Sequence, residues 1–456
     1  MIYCSPMNTK IFKSYDIRGI YPEELDEKAA YAIGRATAKY LKAKNIAVGR
    51  DTRPSSEALF TALCKGITDA SSNVLDLGHA TTPLVYYASH ESGIDGSISL
   101  TASHNPPNWN GFKITRSDAV PIGINSGLRE IEEIGNKGEF KASLIHGNVI
   151  PTDLTNRYTE KFASFWDLHD KKYKVVIDAA NAMGILELPI YKRAEANVSV
   201  STLYCDPTHP FECHEANPLK TETLDELRKK VVEEGADLGI AYDGDADRVG
   251  FVDETGAIVP MDFITGIISA PVLVKYPKAA VLYDLRSSMS VKEEIEKNGG
   301  RALECMIGHS NIKKQMREEN AAFAGELSGH YYFRENSYAE ASTLAVIFLM
   351  NRMRETGKKL SELVTEMRRY FHSGEINNKV TDALGIMAKL KEKYKDGILS
   401  EMDGIKVSYP DPAGGTLWWF NVRSSNTEPL LRLNLEAKTK EMMEAKKAEL
   451  LQIITG

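Results

Sequence analysis

The alternation of short β-rich runs with longer helical runs constrains the fold of this 456-residue chain more than any other feature. Residues 46–48 are predicted to form a strand, and a helix follows over about residues 55–70. Further strands are predicted at 74–77 and at a segment that ends at Leu100. A β-α-β-α-β order of this kind is typical of parallel strands joined by crossover helices. The first part of the chain is therefore predicted to be an α/β unit.

The same rhythm begins again twice further along the chain. Residues 175–177 and 238–241 are predicted strands, and the helix predicted over 224–234 lies between them and ends at Gly235. A third series of strands and helices covers residues 280–324. No close sequence repeat relates the three series, so we predict three α/β units that are similar in pattern only.

The pattern of predicted strands and helices changes after about residue 370. Residues 403–409 and 416–422 are predicted to be antiparallel strands, because a turn rich in proline and glycine joins them. The predicted fold class is α/β, with three similar mixed α/β domains followed by a small C-terminal α+β domain. The predicted domains are 1–150, 151–255, 256–369 and 370–456.

The composition excludes several classes of protein. The chain has 56 Lys and Arg residues against 63 Asp and Glu residues, for a net charge of −7. A nucleic-acid-binding protein or a polybasic membrane binder would have a basic excess instead. The two most apolar stretches, 263–274 and 344–350, are shorter than the roughly 20 residues that a membrane span needs. Five widely spaced cysteines and an N-terminal stretch without an apolar run favour a cytoplasmic protein.

A cluster of carboxylates follows the predicted strand at 238–241. Asp243, Asp245 and Asp247 alternate along a turn, so their side chains can converge on one point, where a divalent cation would relieve their mutual repulsion. Arg248 beside them suits an anionic ligand such as a phosphate. A solvated acidic turn is the alternative interpretation. An EF-hand loop is disfavoured, because Arg248 occupies its sixth position, which requires glycine.

A second polar loop follows the strand that ends at Leu100. Ser103 and His104 lie there next to two prolines that end regular structure, so Ser103 is a candidate nucleophile or phosphate carrier. Lys113 is a candidate cation near the same loop. The alternatives are a hydrogen-bonded turn serine and a surface lysine.

Two further polar segments are candidate binding sites. Glu326, Ser328 and His330 alternate after a predicted strand, and these side chains suit sugar hydroxyls, although a polar strand end would have the same pattern. Residues 423–429 gather Arg423 and several hydroxyl and amide side chains in one turn. Such a turn can bind an anion through its backbone N–H groups, with the arginine completing a phosphate site.

The ordered set of these motifs, together with the opening segment 12–19, resembles the α-D-phosphohexomutase superfamily over nearly the whole chain. The resemblance is closest to the phosphomannomutase/phosphoglucomutase branch. It implies four domains around a central active-site cleft, with a C-terminal domain that moves to close the cleft. It also implies interconversion of a hexose 1-phosphate and a hexose 6-phosphate.

The resemblance assigns expected roles by position. It implies that Ser103 carries the phosphoryl group and binds one Mg²⁺ together with Asp243, Asp245 and Asp247. The residues expected near the transferring phosphate are Arg18, His104, Lys113 and Arg248, with His104 and Lys113 as acid/base candidates. The residues expected to bind the sugar or its other phosphate are Tyr15, Arg286, His309, Glu326, Ser328, His330, Arg423, Ser425, Asn426 and Thr427.

The same resemblance implies a hexose 1,6-bisphosphate intermediate and small sugar phosphates as the partners of a monomer or homodimer. Mannose phosphate is the predicted substrate, with glucose phosphate second. Phosphoglucosamine is an alternative substrate, although those mutases usually have glycine where Asn426 stands. A sugar-phosphate-binding protein without turnover and a metal-dependent phosphatase that uses Ser103 are the remaining alternatives.

Overall fold

A computed structural model describes residues 7–138, 145–206, 208–210, 212–424 and 430–456. These residues form four sheets with helices packed against them. The strands of the first sheet are β1 (Ile17–Ile20), β2 (Asn45–Arg50), β3 (Asn73–His79), β4 (Gly96–Leu100), β5 (Trp109–Arg116) and β6 (Val149–Pro151). Its helices are α1 (Glu27–Leu41), α2 (Ser56–Asp69), α3 (Thr82–Ala88) and α4 (Arg129–Lys137).

The next two domains each contain one sheet. The second has β7 (Tyr173–Asp178), β8 (Val198–Leu203), β9 (Leu238–Tyr242) and β10 (Val249–Asp253), with α5 (Thr155–Ala163), α6 (Leu188–Lys192) and α7 (Asp225–Glu234). The third has β11 (Ala280–Asp284), β12 (Arg301–Cys305), β13 (Phe323–Gly325), β14 (Tyr331–Phe333) and β15 (Ala339–Glu340). Its helices are α8 (Met261–Lys275), α9 (Met289–Lys297), α10 (His309–Glu318), α11 (Ser342–Thr356) and α12 (Leu360–Met367).

The C-terminal domain has a different architecture. Its strands are β16 (Phe371–His372), β17 (Ile376–Lys379), β18 (Ile398–Ser400), β19 (Ile405–Pro410), β20 (Thr416–Ser424) and β21 (Leu430–Ala437). Its helices are α13 (Ala383–Lys393) and α14 (Lys440–Thr455). All strand pairs of this sheet are antiparallel, and β19 pairs with β20 as predicted.

The parallel pairing expected from the sequence rhythm holds at the centre of each α/β sheet and extends to one edge, at β6, β8 and β12. In the first domain β2 lies between β3 and β4 and is parallel to both. β5 then pairs antiparallel with β4, and in the same way β10 pairs with β9 and β14 with β13. Each of the three sheets is therefore mixed, in agreement with the predicted mixed α/β domains, because a short loop leads each of these strands back beside the one before it.

The three antiparallel strand pairs place three of the candidate motifs at equivalent positions in their sheets. The loops 101–108, 243–248 and 326–330 each join a strand to its antiparallel neighbour. Backbone hydrogen bonds also link the second and third loops, since Val249 N donates to Gly329 O at 3.0 Å. Each α/β domain therefore contributes one polar loop to a common cleft.

One hydrophobic cluster extends through the first three domains, and the first domain also has a separate core of its own. Leu84 of α3, Ile240 of β9 and Leu344 of α11 belong to the same cluster of buried side chains. The C-terminal domain has a core of its own, with Trp418, Phe420 and other residues between 390 and 454. Apolar packing therefore fixes the first three domains relative to one another.

Candidate active site

Ser103 lies just beyond the end of β4 in a conformation that serine rarely adopts. Its φ is +52°, in the left-handed region, and its amide donates to Thr101 Oγ1 at 2.9 Å. The buried guanidinium of Arg53 holds the loop, because Nη2 donates to Ser103 O at 2.6 Å and to Asn105 O at 2.8 Å. Arg53 also pairs with Asp51 at 3.0 Å. Backbone strain at Ser103 is thus balanced by charge-assisted hydrogen bonds.

The three aspartates lie across the cleft from this loop and are almost fully buried. Asp243, Asp245 and Asp247 are 0%, 1% and 1% exposed, and one ligand atom from each lies within 4.8 Å of the others. Ser103 Oγ donates to Asp243 Oδ2 at 2.7 Å. The alternative of a solvated acidic turn is therefore wrong. The serine loop and the acidic turn meet although they are separated by 140 positions in the chain.

Lys113 lies on β5, and its ammonium group enters the aspartate cluster. Its Nζ donates to Asp245 Oδ2 at 2.6 Å and also to Asp247. The surface-lysine alternative is wrong, since Lys113 is 5% exposed. Although burial disfavours its charge, the aspartates raise the pKa of Lys113. The ammonium therefore stays charged and partly neutralises the cluster.

The pKa values of Asp243 and Asp247 are shifted in opposite directions. Burial, reinforced by the charges of Asp245 and Asp247, raises the pKa of Asp243 to about 7. Burial acts the same way on Asp247, but the Lys113 and His330 charges prevail and hold its pKa well below the ordinary value. One of three neighbouring carboxylates thus resists ionisation unless further positive charge arrives.

The aspartate cluster fits a hard divalent cation. Carboxylate oxygens are the ligands that Mg²⁺ prefers, and a bound cation would offset the burial and the repulsion that raise the pKa of Asp243. Asp245 Oδ1 is buried and has no hydrogen-bond partner among the described residues. Buried polar atoms without a partner are rare in proteins, so this oxygen is available to a ligand.

Three further side chains border Ser103. Its Oγ lies 3.3 Å from His104 Nδ1, and burial together with the Arg248 and Arg18 charges lowers the pKa of His104 to about 2. His104 is therefore neutral. Arg18 Nη1 donates to Asn105 Oδ1 at 2.6 Å, and its Nε pairs with Asp16 at 2.8 Å. Arg248 Nε lies 3.8 Å from Asp243 Oδ2, the atom that accepts from the Ser103 hydroxyl, so two guanidinium groups and one neutral imidazole lie around Ser103.

The loop between β13 and β14 brings its three polar side chains together. His330 Nδ1 lies 2.7 Å from Ser328 Oγ and 3.1 Å from Glu326 Oε2. On its other side His330 Nε2 lies 3.3 Å from Asp247 Oδ1 and 3.1 Å from Arg248 Nε. Although burial disfavours an imidazolium, Asp247 and then Glu326 outweigh the Arg248 charge and raise the pKa of His330 to about 9. His330 thus joins the loop 326–330 to the aspartate cluster.

Tyr15 and His309 form one wall beside this loop. Their rings contact edge-to-face with centroids 5.4 Å apart, and Gly308 N donates to Glu326 Oε1 at 3.3 Å. Arg286 lies further along the cleft, where its Nε donates to Asp284 Oδ1 at 2.9 Å. The structure therefore places these residues along one surface with the loop 326–330.

The C-terminal domain faces that surface across a cavity of about 910 Å³, which Arg286 and Ser328 line from one side and Glu375 and Asn434 from the other. Ser425, Asn426 and Thr427 lie outside the described residues. Their neighbour Arg423 pairs with Glu375 at 2.9 Å.

Sequence reasoning missed Arg432, which lies directly opposite Arg423 in the sheet. The Nε atoms of both arginines are buried and lack a hydrogen-bond partner among the described residues. Two guanidinium groups therefore lie on adjacent strands at this end of the sheet.

Sequence reasoning also missed Arg53 and Thr82. Arg53 forms hydrogen bonds with the loop that carries Ser103, and Thr82 with the acidic turn. Thr82 Oγ1 donates to Asp245 Oδ2 at 2.5 Å. The polar loop after β2 was the one available indication for Arg53, because β2 and β4 are parallel neighbours and end at the same edge of the sheet. For Thr82 the sequence offered no indication.

In the part of the chain that the structure describes, no helix has the length and apolar character for a membrane span. The four described cysteines, Cys64, Cys205, Cys213 and Cys305, are free thiols.

Four family models match successive parts of the chain. They describe the phosphoglucomutase/phosphomannomutase alpha/beta/alpha domains I, II and III, over residues 9–142, 156–256 and 261–370. The fourth describes the C-terminal domain of the same proteins, over residues 375–453. The matches follow the order of the four sheets.

Individual relatives are similar over nearly their whole length. A phosphomannomutase of Methanocaldococcus jannaschii is 40% identical, with 97% of each chain covered. A phosphomannomutase of Salmonella montevideo is 36% identical, over 98% of this chain and 100% of the relative. The crystal structure of a phosphoglucomutase/phosphomannomutase family protein from Burkholderia thailandensis superimposes with a TM-score of 0.88 at 28% identity, covering 98% of this chain and 97% of that one.

Proposed function

The chain belongs to the phosphoglucomutase/phosphomannomutase family, and from that membership we propose that it interconverts mannose 1-phosphate and mannose 6-phosphate in the cytoplasm. Glucose phosphates are the proposed secondary substrates. The enzyme is an intramolecular phosphotransferase. The observation that supports the proposal is the 2.7 Å hydrogen bond from Ser103 Oγ to Asp243 Oδ2, because it joins the proposed nucleophile to the proposed metal-binding carboxylates.

We propose that the chain divides near residues 150, 255 and 370, so that each unit supplies one part of the site. In this division the first unit supplies the phosphate carrier and the second supplies the metal ligands. The third supplies the sugar-binding loop, and the fourth binds the phosphate that is not being transferred.

In the proposed reaction Ser103 carries a phosphoryl group. The free hydroxyl of a hexose monophosphate attacks phosphorus, the new P–O bond forms, and the bond from phosphorus to Ser103 Oγ breaks. The product is a hexose 1,6-bisphosphate, which returns its other phosphoryl group to Ser103 after it reverses its orientation. Magnesium, held by Ser103 and the three aspartates, would withdraw charge from the phosphoryl group and make phosphorus more electrophilic.

The side chains of the cleft handle charge and protons during this transfer. His104 is neutral and can accept the proton of the attacking hydroxyl, and a phosphate on Ser103 would raise its pKa from about 2. Lys113 is the proposed donor of a proton to the departing Ser103 oxygen, and a cation bound to the aspartates would lower the pKa of Lys113, which their charges raise. Arg18 and Arg248 are the proposed charges that neutralise the phosphoryl oxygens, because phosphoryl transfer depends mostly on positioning and charge.

The other phosphate and the sugar need a site that tolerates both orientations. Glu326 and Ser328 are the proposed partners of the sugar hydroxyls, and Tyr15, Arg286, His309 and His330 the proposed orienting groups. Arg423 and Arg432 are the proposed charges for the distant phosphate, together with Ser425, Asn426 and Thr427.

The test is turnover of mannose 1-phosphate by the purified enzyme with Mg²⁺ and a trace of hexose 1,6-bisphosphate, followed by ³¹P NMR. We expect mannose 6-phosphate, with glucose 1-phosphate converted more slowly. Faster conversion of glucosamine 1-phosphate would contradict the substrate assignment. Release of inorganic phosphate faster than isomerisation would indicate a phosphatase, and binding without any conversion would indicate a sensor.

A further inference from the structure

A buried carboxylate that the proposed reaction does not use lies where the first three domains meet. Glu187 is 1% exposed and precedes α6. It accepts hydrogen bonds from Thr81 Oγ1 at 2.8 Å, from Thr343 Oγ1 at 2.7 Å and from Tyr158 OH at 3.1 Å. Burial raises its pKa, since the three hydroxyl donors offset the loss of water only in part. Burial of the Glu187 carboxylate is unfavourable, and its hydrogen bonds join three domains, so we expect it to have a specific role.

The first partner of Glu187 is next in the chain to a residue that holds the acidic turn. Thr81 bonds to Glu187, and its neighbour Thr82 bonds to Asp245 twice. Thr82 Oγ1 donates to the Asp245 carboxylate at 2.5 Å, and Thr82 N donates to the Asp245 carbonyl at 3.0 Å. The position of Thr81 therefore sets the position of the two groups that orient Asp245.

The second partner repeats this arrangement from the opposite side. Thr343 bonds to Glu187, and its neighbour Ser342 donates to the carbonyl of Ala246 at 2.9 Å. Thr343 Oγ1 also accepts from the hydroxyl of Tyr242 at 2.8 Å, and Tyr242 is the residue immediately before Asp243. The third domain thus holds both the entry and the middle of the acidic turn.

We infer that Glu187 is a positioning residue for the metal site, because it fixes two adjacent residue pairs, Thr81–Thr82 and Ser342–Thr343, that hold the turn 243–247 from both sides. Each pair uses one residue to bind Glu187 and the other to bind the turn. The inference rests on the proposed metal-binding role of the three aspartates. Loss of Glu187 should therefore weaken metal binding without removing any metal ligand.

The test is direct Mn²⁺ binding to the full-length enzyme without sugar phosphate, measured by the EPR signal of free Mn²⁺. We expect Glu187→Gln and Thr343→Val to raise the Mn²⁺ dissociation constant about tenfold, at the low end of the effect of losing an outer-shell partner of a metal ligand. Thr343→Ser restores the hydroxyl and should bring the constant back to within about twofold of wild type.

Tyr158→Phe is the matched control. Tyr158 also donates to Glu187, but among the described residues neither it nor its chain neighbours bond to the acidic turn. This variant should lower the melting temperature and leave the Mn²⁺ dissociation constant unchanged. An equal loss of Mn²⁺ affinity in Tyr158→Phe would overturn the inference, because the effect would then follow stability alone.

The remaining outcomes are also decisive. Wild-type affinity in Thr343→Val would overturn the inference, and this isosteric variant decides the question even if Glu187→Gln does not fold. Failure of the wild-type enzyme to bind Mn²⁺ would overturn both the inference and the proposed metal site. A wild-type enzyme that binds Mn²⁺ alongside variants that bind it equally well would overturn the inference alone.

Discussion

The two sides of the cleft are built in different ways. On the side of the first three domains, apolar side chains from all three form one core, and Ser103 and the aspartates are already in contact. The C-terminal domain has a separate core, and it meets the third domain through polar groups. Lys406 Nζ donates to Leu285 O at 2.9 Å, and Met289 N donates to Glu436 Oε2 at 2.9 Å.

This difference separates two tasks. The phosphoryl transfer site needs fixed geometry, and a shared apolar core supplies it. Binding two phosphate positions in turn needs adjustment, and a domain joined by a few polar contacts can move as a unit. We therefore expect substitutions on the first side to reduce turnover, and substitutions on the C-terminal side to change substrate affinity or domain contact.

The largest expected effect is that of Ser103→Ala. Removing the phosphoryl carrier should lower kcat at least about 10³-fold, because loss of a covalent nucleophile leaves only binding and electrostatic contributions. Steady-state assays with mannose 1-phosphate measure this change. Ser97→Ala, which removes a buried β4 hydroxyl bonded to Thr115, is the control and should retain near-normal turnover. Comparable kcat values in both variants would rule out Ser103 as the carrier.

The next largest effect is expected at the metal ligands. Asp245→Asn removes one negative charge from the cluster and should raise the Mg²⁺ concentration for half-maximal activity about 100-fold, while the KM for sugar phosphate changes little. Chelation with EDTA should abolish wild-type activity, and added Mg²⁺ should restore it. Full activity in EDTA would mean that the aspartates serve another purpose.

On the C-terminal side, Arg423→Gln should act on affinity. A charged hydrogen-bond donor to phosphate contributes about 1.5–3 kcal/mol, so KM should rise about 10- to 100-fold with kcat within a few-fold of wild type. Arg369→Gln is the control, since Arg369 pairs with Glu293 at 3.2 Å at the domain junction. A lower kcat with unchanged KM in Arg423→Gln would show that the two sides do not divide the tasks in this way.

The smallest expected effect is a pH dependence of the free energy of unfolding, and it arises at the contact between the third and the C-terminal domains. Burial raises the pKa of Glu436 from 4.5 to about 7, although the Met289 amide opposes the shift. Between these pH values the folded protein holds a proton that the unfolded chain has released. The free energy of unfolding should therefore fall by at most about 3 kcal/mol as pH rises from about 4.5 to 7, and stay level above that.

The Glu436→Gln variant removes this dependence. Melting curves at pH 5 and pH 8 should show the variant gaining stability relative to wild type at the higher pH. The same difference between the two proteins at both pH values would show that Glu436 does not titrate in this range.

The sequence carried enough information to locate the three loops but not their mutual contacts. Each loop follows an apolar run, and loops at the carboxyl ends of parallel strands gather at one edge. That reasoning found Ser103, the aspartates and the sugar loop. The pattern of strands and helices does not reveal that β5 runs antiparallel to β4. The sequence alone therefore does not place Lys113, which lies on β5, inside the aspartate cluster.

The buried residues that support the loops of the site cannot be identified from the sequence, and the reason is physical. Arg53, Thr82 and Glu187 are 50, 163 and 156 positions from a residue that they contact, namely Ser103, Asp245 and Thr343. Local periodicity carries no information about such partners, because only the packing of whole domains creates the contacts. A polar residue in a loop has the same local pattern whether its partner is water or a buried carbonyl.

The most direct test of the proposed mechanism is to follow one phosphoryl group through the enzyme. The protein is treated with ³²P-labelled hexose 1,6-bisphosphate, freed of sugar, digested, and mapped by mass spectrometry and scintillation counting. A second portion is mixed with unlabelled mannose 6-phosphate before digestion. We expect one label per chain on Ser103 in the first portion and its transfer to the sugar in the second. Label on another residue, or label on Ser103 that mannose 6-phosphate cannot remove, would contradict the phosphoserine mechanism.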